Sequence, residues 1–128
     1  MFEKLELTRM AQAMASNAGA RLGIIARNVA NADTPGFKAM DLPDFAESYR
    51  AAGGQDMRAT RAGHLGGTAA APEAMARRSA GAEAPNGNTV SLEMEMVKSA
   101  AVRQDHEMAL AVYRNTSGII RASLGRSG

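Results

Sequence analysis

The sequence predicts an all-α-dominated fold, with long N- and C-terminal helices paired as a coiled-coil-like inner domain. A short extended or β-like arm and a flexible middle segment complete this prediction. Apolar residues recur at spacings of three and four from Phe2 to Ala32 and again from about Ser91 to Leu124. A Pro-Gly stop follows the first stretch. Residues 50–88 are rich in Gly, Ala and Pro and show no sustained period.

The first predicted helix, residues 1–32, carries a seam typical of helices that pack along their length. Gly19 and Gly23 weaken its middle, each at a cost of ~1 kcal/mol relative to alanine. Small residues also let a neighbouring helix approach closely. A helix of this length spans ~45 Å, more than a small single domain covers. The seam residues follow each other at spacings of four and three: Ala11, Ala15, Ala18, Leu22, Ile25, Val29 and Ala32.

Residues 33–49 are predicted to form a turn and an extended arm. Pro35 disfavours helical geometry at Thr34, and Gly36 can supply the positive φ of a type II turn. Pro43 opposes a regular helix beyond the turn. We therefore expect an irregular or β-like segment that packs back on the end of the first helix. Its apolar residues stand among polar neighbours: Phe37, Met40, Leu42 and Phe45.

The second predicted helix lies within residues 89–128, after a flexible middle insert at residues 50–88. Ser91 is the expected N-cap and Gly125 the expected C-cap. The helix is apolar on two faces, which indicates more than one neighbour. Two apolar stripes run along the helix, and one of them includes Met94, Val97 and Met108. The stripe assigned to helix packing contains Met96, Leu110, Tyr113, Ile120 and Leu124.

Composition indicates a chain that relies on partners for part of its burial. The hydrophobic fraction of 45% depends on alanine and nine methionines, with 4% aromatics and no tryptophan. Alanine buries little area, so the expected core is shallow. The formal charge is +2, and the charges are scattered without a run of one sign. A phosphate-binding stripe would need several cations on one face, so we expect no nucleic-acid partner.

Residues that could carry chemistry are sparse. The chain has no cysteine, which excludes disulfides, thiol nucleophiles and cysteine-based zinc sites. Neither His64 nor His106 stands in a ligand-spaced cluster. We expect no catalytic residues, no cofactor, no metal and no small-molecule substrate. The N-terminus lacks the apolar stretch of a cleaved signal peptide, and no apolar run reaches the ~18 residues of a membrane span.

The stretch NVANADTPGFKAMDLPDF, Asn28 to Phe45, closely resembles the signature of the bacterial flagellar rod, hook and hook-associated family. In that family the N-terminal helix ends in an A-N-x-x-T-P-G-[FY] motif. The wording after this motif and the GNTV sequence at residues 87–90 are most similar to the short proximal rod proteins of the basal body. The resemblance covers residues 1–49 and 86–125. The motif residues of this chain are Ala30, Asn31, Thr34, Pro35, Gly36 and Phe37.

The resemblance implies a structural role in the periplasmic rod of the flagellar basal body. Family members stack helically, through their paired terminal helices, around a central export channel. The implied partners are copies of the chain itself, other rod subunits, the basal-body base or MS-ring adaptor, and the export gate. Residues 28–45 would contact adjacent subunits, with Phe37 and Phe45 as anchors. The alternative is that these two phenylalanines close the chain's own small core.

The resemblance also implies export through the flagellar type III apparatus without signal cleavage. Phe45 and Tyr49 bound a short segment that resembles the export-gate motif of rod and hook substrates. A different class of function stays open, in which the chain is a small basic helical adaptor that binds nucleic acid or an anionic surface. That alternative requires cations grouped on one helix face and binding that weakens with salt.

Overall fold

The computed structural model describes residues 2–53 and 76–125. Helices dominate these residues, and the two terminal helices pack together, so the predicted architecture is confirmed. None of the described helices is both long enough and apolar enough to cross a membrane. The elements follow in the order α1 (Phe2–Ala30), β1 (Met40–Asp41), α2 (Phe45–Gly53), β2 (Arg77–Arg78) and α3 (Leu92–Gly125).

Helices α1 and α3 pack antiparallel along one seam. Arg21 of α1 lies 3.5 Å from Asp105 of α3, and Asn28 of α1 lies 3.2 Å from Glu95 of α3. Residue numbers therefore rise along α1 in the direction in which they fall along α3. Buried residues recur every seven positions on both helices, as expected for paired helices. They are Ala11, Ala18 and Ile25 on α1, and Glu95, Val102, Ala109 and Thr116 on α3.

The α1 residues of the predicted seam differ in their burial within the chain. Ile25 is buried, and Leu22 packs against the core formed with Ala18 and Val102. Val29, however, is 45% exposed, and Asn28 takes the inward position at 1% exposure. The physical reason is that the arm after α1 folds back onto this end of the helix, where a polar side chain can bond its backbone. A rule that scores apolar spacing alone selects the neighbouring valine.

On α3, the residues predicted for helix packing do not form the seam that is buried within the chain. The buried seam runs between the two predicted stripes, because its side chains are small or polar and carry little hydrophobic signal. Leu110 and Ile120 are half-buried. Met96 is 72% exposed, and Tyr113 and Leu124 are 39% and 61% exposed. The larger apolar residues of α3 thus face away from α1.

The predicted extended arm is present but shorter than expected. Residues Met40 and Asp41 form β1, whereas the predicted extension from Phe45 is wrong because α2 begins there. Pro43 is consistent with this, since it lies before the helix and not in it. The Asp44 carboxylate accepts the Glu47 N–H at 2.8 Å and so caps the first turn.

The predicted middle insert, residues 50–88, is also ordered at both of its ends. Residues 50–53 belong to α2, and Arg77–Arg78 form β2. Strand β2 pairs antiparallel with β1, with Met40 opposite Arg78 and Asp41 opposite Arg77. A two-residue strand is too short to show a period in the sequence. Strand β2 is therefore recognisable only from its pairing with β1 in the folded chain. Residues 54–75 lie outside the described residues.

Helix α3 begins as predicted. The Met94 N–H faces the Ser91 hydroxyl at 3.4 Å, and the Glu95 N–H donates to the Ser91 carbonyl at 3.0 Å. These contacts confirm Ser91 as the N-cap residue. At the other end, the helix extends to Gly125, the residue expected to end it. Helix α1, by contrast, ends at Ala30, two residues before the predicted boundary at Ala32.

Candidate functional site

The motif residues form a tight turn directly after α1. The Phe37 N–H donates to the Thr34 carbonyl at 3.2 Å, and Gly36 has a φ of 75°. With Pro35 at the first central position, this is the type II turn that the sequence predicts. Phe37 itself is half-buried. The turn reverses the chain so that the arm runs back beside the helix it has just left.

Asn31 fastens this turn to the end of α1. Its side-chain amide donates to the Arg27 carbonyl at 2.8 Å, and its side-chain oxygen accepts from the Thr34 hydroxyl at 3.2 Å. Its backbone carbonyl also accepts the Thr34 N–H at 3.1 Å. The last carbonyls of a helix lack intrahelical donors, and asparagine supplies one here. Ala30, the remaining motif residue, is exposed at the last position of the helix.

Asn88 completes the cap from the other half of the chain. Its side-chain amide lies 2.9 Å from each of three backbone carbonyls, those of Asn31, Ala32 and Thr34. Its side-chain oxygen accepts the Val90 N–H at 2.7 Å, and the residue is 3% exposed. Sequence reasoning missed this role, because nothing local shows which helix end the asparagine meets.

Two glycines lie face to face where the two turns touch. The Gly36 N–H donates to the Asn86 carbonyl at 2.9 Å, and the Gly87 N–H closes its own turn on Ala84 at 2.8 Å. Gly87 has a φ of 81°. A Cβ at Gly87 would lie 3.3 Å from the Gly36 Cα. Glycine is therefore required here for its backbone conformation and for the close approach.

Asn28 binds the arm to the helix pair. Its amide donates to the Met40 carbonyl at 2.7 Å, and its side-chain oxygen accepts the Met40 N–H at 3.1 Å. One side chain thus satisfies both backbone groups of β1's first residue, as a neighbouring strand would. The same amide reaches the Glu95 carboxylate on α3 at 3.2 Å. Asn28 therefore joins α1, the arm and α3 at one buried point.

Glu95 is the buried acid of this junction, at 2% exposure. Its second oxygen faces the Lys98 ammonium at 3.3 Å, and that ammonium also lies 3.8 Å from the Asp41 carboxylate and 3.4 Å from the Ser79 hydroxyl. A buried carboxylate is tolerated only with such partners. Glu95 lies in the first turn of α3, where an acidic residue is favourable without being buried. Its burial follows from the tertiary fold.

The arm is bonded to two further segments of the chain. The Ser79 N–H donates to the Ala39 carbonyl at 2.9 Å, continuing the β1–β2 pairing. The Ala39 N–H donates to the Thr89 hydroxyl at 2.8 Å, and the Thr89 N–H to the Phe37 carbonyl at 3.0 Å. Ala39 is 2% exposed. The motif turn at residues 30–37 and the GNTV segment at residues 87–90 therefore form one structural unit, which we call the corner.

Helix α2 is tied to β2 by an exposed ion pair. The Arg77 guanidinium bonds both oxygens of Glu47, at 3.0 and 3.1 Å. These hydrogen bonds, and the charge of Glu47, raise the pKa of Arg77 above its ordinary value. Since both side chains are more than half exposed, water and salt screen the pair, and its net contribution is small.

The predicted export-gate residues lie on α2. Phe45 and Tyr49 occupy successive turns of the helix, with ring centroids 5.4 Å apart. Phe45 is half-buried and Tyr49 is 54% exposed. In the folded chain these two residues form an aromatic pair on one face of a short helix. Their recognition by an export gate stays a prediction.

The described residues offer little for catalysis or ligand binding. Within residues 2–53 and 76–125, no three His, Asp or Glu side chains are close enough to hold a metal ion. The depression between α1 and α3 is open to solvent and has a volume of about 200 Å³. His106 is half-buried on α3, and His64 lies outside the described ranges. The corner's polar side chains bind backbone groups, which is the arrangement of a structural joint.

The chain is similar to known proteins of the flagellar basal body rod. The family described as "Flagella basal body rod protein" matches residues 8–38, a range that ends just after the type II turn. The flagellar basal body rod protein FlgB from two strains of Cereibacter sphaeroides is 36% identical over 108 residues. That alignment covers 82% of this chain and 84% of the relative. The family match thus covers most of α1 and its turn.

Proposed function

The chain belongs to the FlgB family of flagellar basal body rod proteins, and on that premise we propose that it is a proximal rod subunit. It is a structural component of the basal body rod, and it assembles with other rod or basal-body components. In our proposal the subunits stack helically, both with copies of themselves and with other rod proteins. Together they form the drive shaft and line the export channel.

The shallow core is the observation that carries this proposal. Of the seven buried apolar side chains among the described residues, four are alanines, namely Ala11, Ala18, Ala39 and Ala109. Large apolar residues of α3 are instead exposed, among them Met96 and Val97. Apolar surface of this kind is stabilised when a neighbour covers it. A helix pair with a small inner seam and a large outer apolar surface suits a subunit that completes its burial by assembly.

The corner suits the mechanical part of the proposal. A drive shaft must transmit torque between subunits, so any arm that contacts a neighbour must not swing freely. Asn28 and Glu95 bond the arm and α3 at a buried point, and Asn88 bonds the end of α1 to the lead-in of α3. Because these bonds are shielded from water, breaking them is costly. They would keep the motif residues of one subunit at a defined position against the next.

The proposed export route is the flagellar type III apparatus, with the export gate and the basal-body base or MS-ring adaptor as further partners. Phe45 is half-buried in the folded chain. A gate that reads Phe45 and Tyr49 would therefore meet them most readily in a chain that has not yet folded. This agrees with transport as an unfolded subunit and with folding after arrival in the periplasm.

A deletion and complementation experiment tests the proposed function. The gene is deleted in its host, and the wild-type chain or an Asn28→Leu variant is supplied in trans. We expect the deletion strain to lack rods and hooks, the wild-type chain to restore them, and mass spectrometry to find the chain in purified basal bodies. The Asn28→Leu variant should restore them poorly. Complete rods in the deletion strain, or basal bodies without the chain, would contradict the proposal.

The adaptor alternative gives a different result in a simple binding assay. Four described cations already face carboxylates: Arg21, Lys38, Arg77 and Lys98. If the chain were an adaptor, it would bind duplex DNA or anionic vesicles with an affinity that falls steeply with salt. Under the rod proposal we expect no such salt-dependent binding.

A further inference from the structure

The exposed side of α1 carries glycines that no contact among the described residues explains. A Cβ added at Gly19 or Gly23 would meet no atom of residues 2–53 and 76–125 within 4 Å. Neither residue has the positive φ seen at Gly36 and Gly87. Each glycine nevertheless destabilises the helix by ~1 kcal/mol relative to alanine. They belong to an exposed row of small or polar residues, spaced four and three apart, which we call the glycine face: Gln12, Ser16, Gly19, Gly23, Ala26 and Ala30.

Helix α3 has a row of apolar residues at a matching period, exposed except for the half-buried Val112. We call it the apolar face: Met94, Val97, Ala101, Met108, Val112 and Ile119. Four of these are exposed by half or more, with Met94 at 55%, Val97 at 64%, Met108 at 50% and Ile119 at 52%. Methionine is flexible and adapts to irregular neighbouring surfaces. The row lies beside the buried seam of Glu95, Val102, Ala109 and Thr116, and α1 does not cover it.

The two faces lie on opposite sides of the helix pair. Each successive residue advances ~100° around a helix. On α1, glycine-face residues such as Gly19 follow the buried seam residues by one position. On α3, apolar-face residues such as Met108 precede the buried seam residues by one position. The two faces are therefore rotated about their helix axes by similar angles, in opposite senses with respect to chain direction. Because α1 and α3 run antiparallel, these displacements place the faces on opposite sides of the pair. The arm lies on the side of the apolar face, since Asn17 on that side of α1 reaches the Pro43 carbonyl at 3.5 Å.

We infer that the apolar face of one copy of this chain packs into the glycine face of a second copy, an inference that rests on the proposed function. Large side chains on one face fit the space left by small residues on the other, and both rows share the period of packed helices. A contact between two different faces does not close on itself as a two-fold dimer does. It repeats, and produces a ring or a helical stack.

A two-fold contact between the apolar faces of two α3 helices is the obvious competitor. It would cover Met108 and Val97 but would leave the glycines of α1 in solvent, where alanine would be the better helix former. The contact proposed here accounts for both rows at once. It also uses residues that, apart from the half-buried Val112, are exposed in the single chain.

Disulfide trapping in basal bodies tests this contact, and the chain suits it because it has no cysteine of its own. Cells produce a Gly23→Cys chain together with a second chain that carries Val97→Cys, Met108→Cys or Ile119→Cys. Basal bodies are purified, oxidised and digested, and mass spectrometry identifies the linked peptides. We expect a disulfide between position 23 and at least one of the three α3 positions. Arg103→Cys, exposed on another side of α3, is the matched control and should give none.

The outcomes separate this inference from the proposed function. If purified basal bodies lack the chain, both the inference and the proposed function are wrong. If the chain is present but links only α3 to α3, or links only to another protein, the inference is wrong and the rod assignment stands. The inference is also wrong if the chain is present and position 23 forms no disulfide with any of the three α3 positions.

A size series at Gly23 gives an independent readout. Gly23→Ala and Gly23→Leu should both retain or increase the helicity of the isolated chain, because neither meets an atom of the chain at its Cβ. We expect Gly23→Leu to reduce incorporation into basal bodies at least tenfold and Gly23→Ala to reduce it much less. Normal incorporation of the leucine variant would contradict the proposed packing.

Discussion

At the scale of single residues, three asparagine side chains connect the end of α1 to the arm and to the start of α3. Asn28 binds the backbone of Met40 and the side chain of Glu95, while Asn31 and Asn88 bind the carbonyls at the end of α1. An asparagine side chain offers donors and an acceptor in a plane, so it can replace a missing backbone partner. The corner therefore depends on amide chemistry more than on hydrophobic burial.

Replacing Asn28 should destabilise the fold more than replacing an exposed asparagine. Asn28→Leu has a similar size but leaves the Met40 backbone groups and a Glu95 oxygen without partners. We expect a loss of about 2–4 kcal/mol, since each unsatisfied buried group costs about 1–3 kcal/mol. Urea unfolding followed by circular dichroism measures it, with Asn115→Leu, exposed on α3, as the matched control. Equal midpoints for the two variants would contradict the role of Asn28.

The glycines fall into two groups with opposite expected effects. Gly36→Ala and Gly87→Ala should each destabilise the chain by roughly 1–2 kcal/mol, because an L side chain is strained at their positive φ. Gly19→Ala should stabilise it by up to ~1 kcal/mol, because its helical site is sterically open. Thermal unfolding of the three variants gives the sign of each effect. Stabilisation by Gly36→Ala would be the contrary result.

Residue roles were predictable from the sequence only where their cause is local. The Pro35–Gly36 turn and the Ser91 cap depend on neighbours within three residues, and both were predicted correctly. The roles of Asn88 and Glu95 depend on partners more than fifty residues away. Their side chains give no local signal that distinguishes a buried junction from a solvated turn or a first helical turn.

At the scale of elements, the capping of α2 decides where the arm ends. Asp44→Ala removes the side-chain acceptor of the Glu47 N–H and should destabilise α2 by about 0.5–2 kcal/mol. We expect faster hydrogen exchange at the amides of Glu47 and Ser48, with the amides of α3 unaffected. Asp33→Ala, at an exposed position outside any helix, serves as the control. Unchanged exchange in α2 would show that the cap is dispensable.

The elements also show why periodicity predicts helices better than seams. The helical spacing predicted the first and last residues of α1 and α3 with an error of no more than two residues. It failed to find the α3 seam, because Ala109 and Thr116 are too small or too polar to register as hydrophobic. Close packing of two helices favours small residues, so the largest apolar side chains mark outer faces here. The arm's short strand and helix lacked enough length to show any period.

At the scale of the whole molecule, the chain has a small buried core and an exposed apolar surface that suits contacts with other subunits. Its inner seam is narrow, and many of its large apolar side chains are exposed. We expect such a subunit to be marginally stable alone and to be stabilised by association through mass action. Folding and assembly should therefore be coupled, which also suits the proposed transport before folding.

The most direct test of this account combines circular dichroism with analytical ultracentrifugation on the full chain and on a variant lacking residues 112–128. We expect the full chain to be weakly helical as a monomer, and to gain helix together with mass as concentration rises or other rod subunits are added. The truncated chain should lose both responses. A compact, fully helical monomer at every concentration, little changed by the truncation, would contradict the claim that this helix pair is completed by its neighbours.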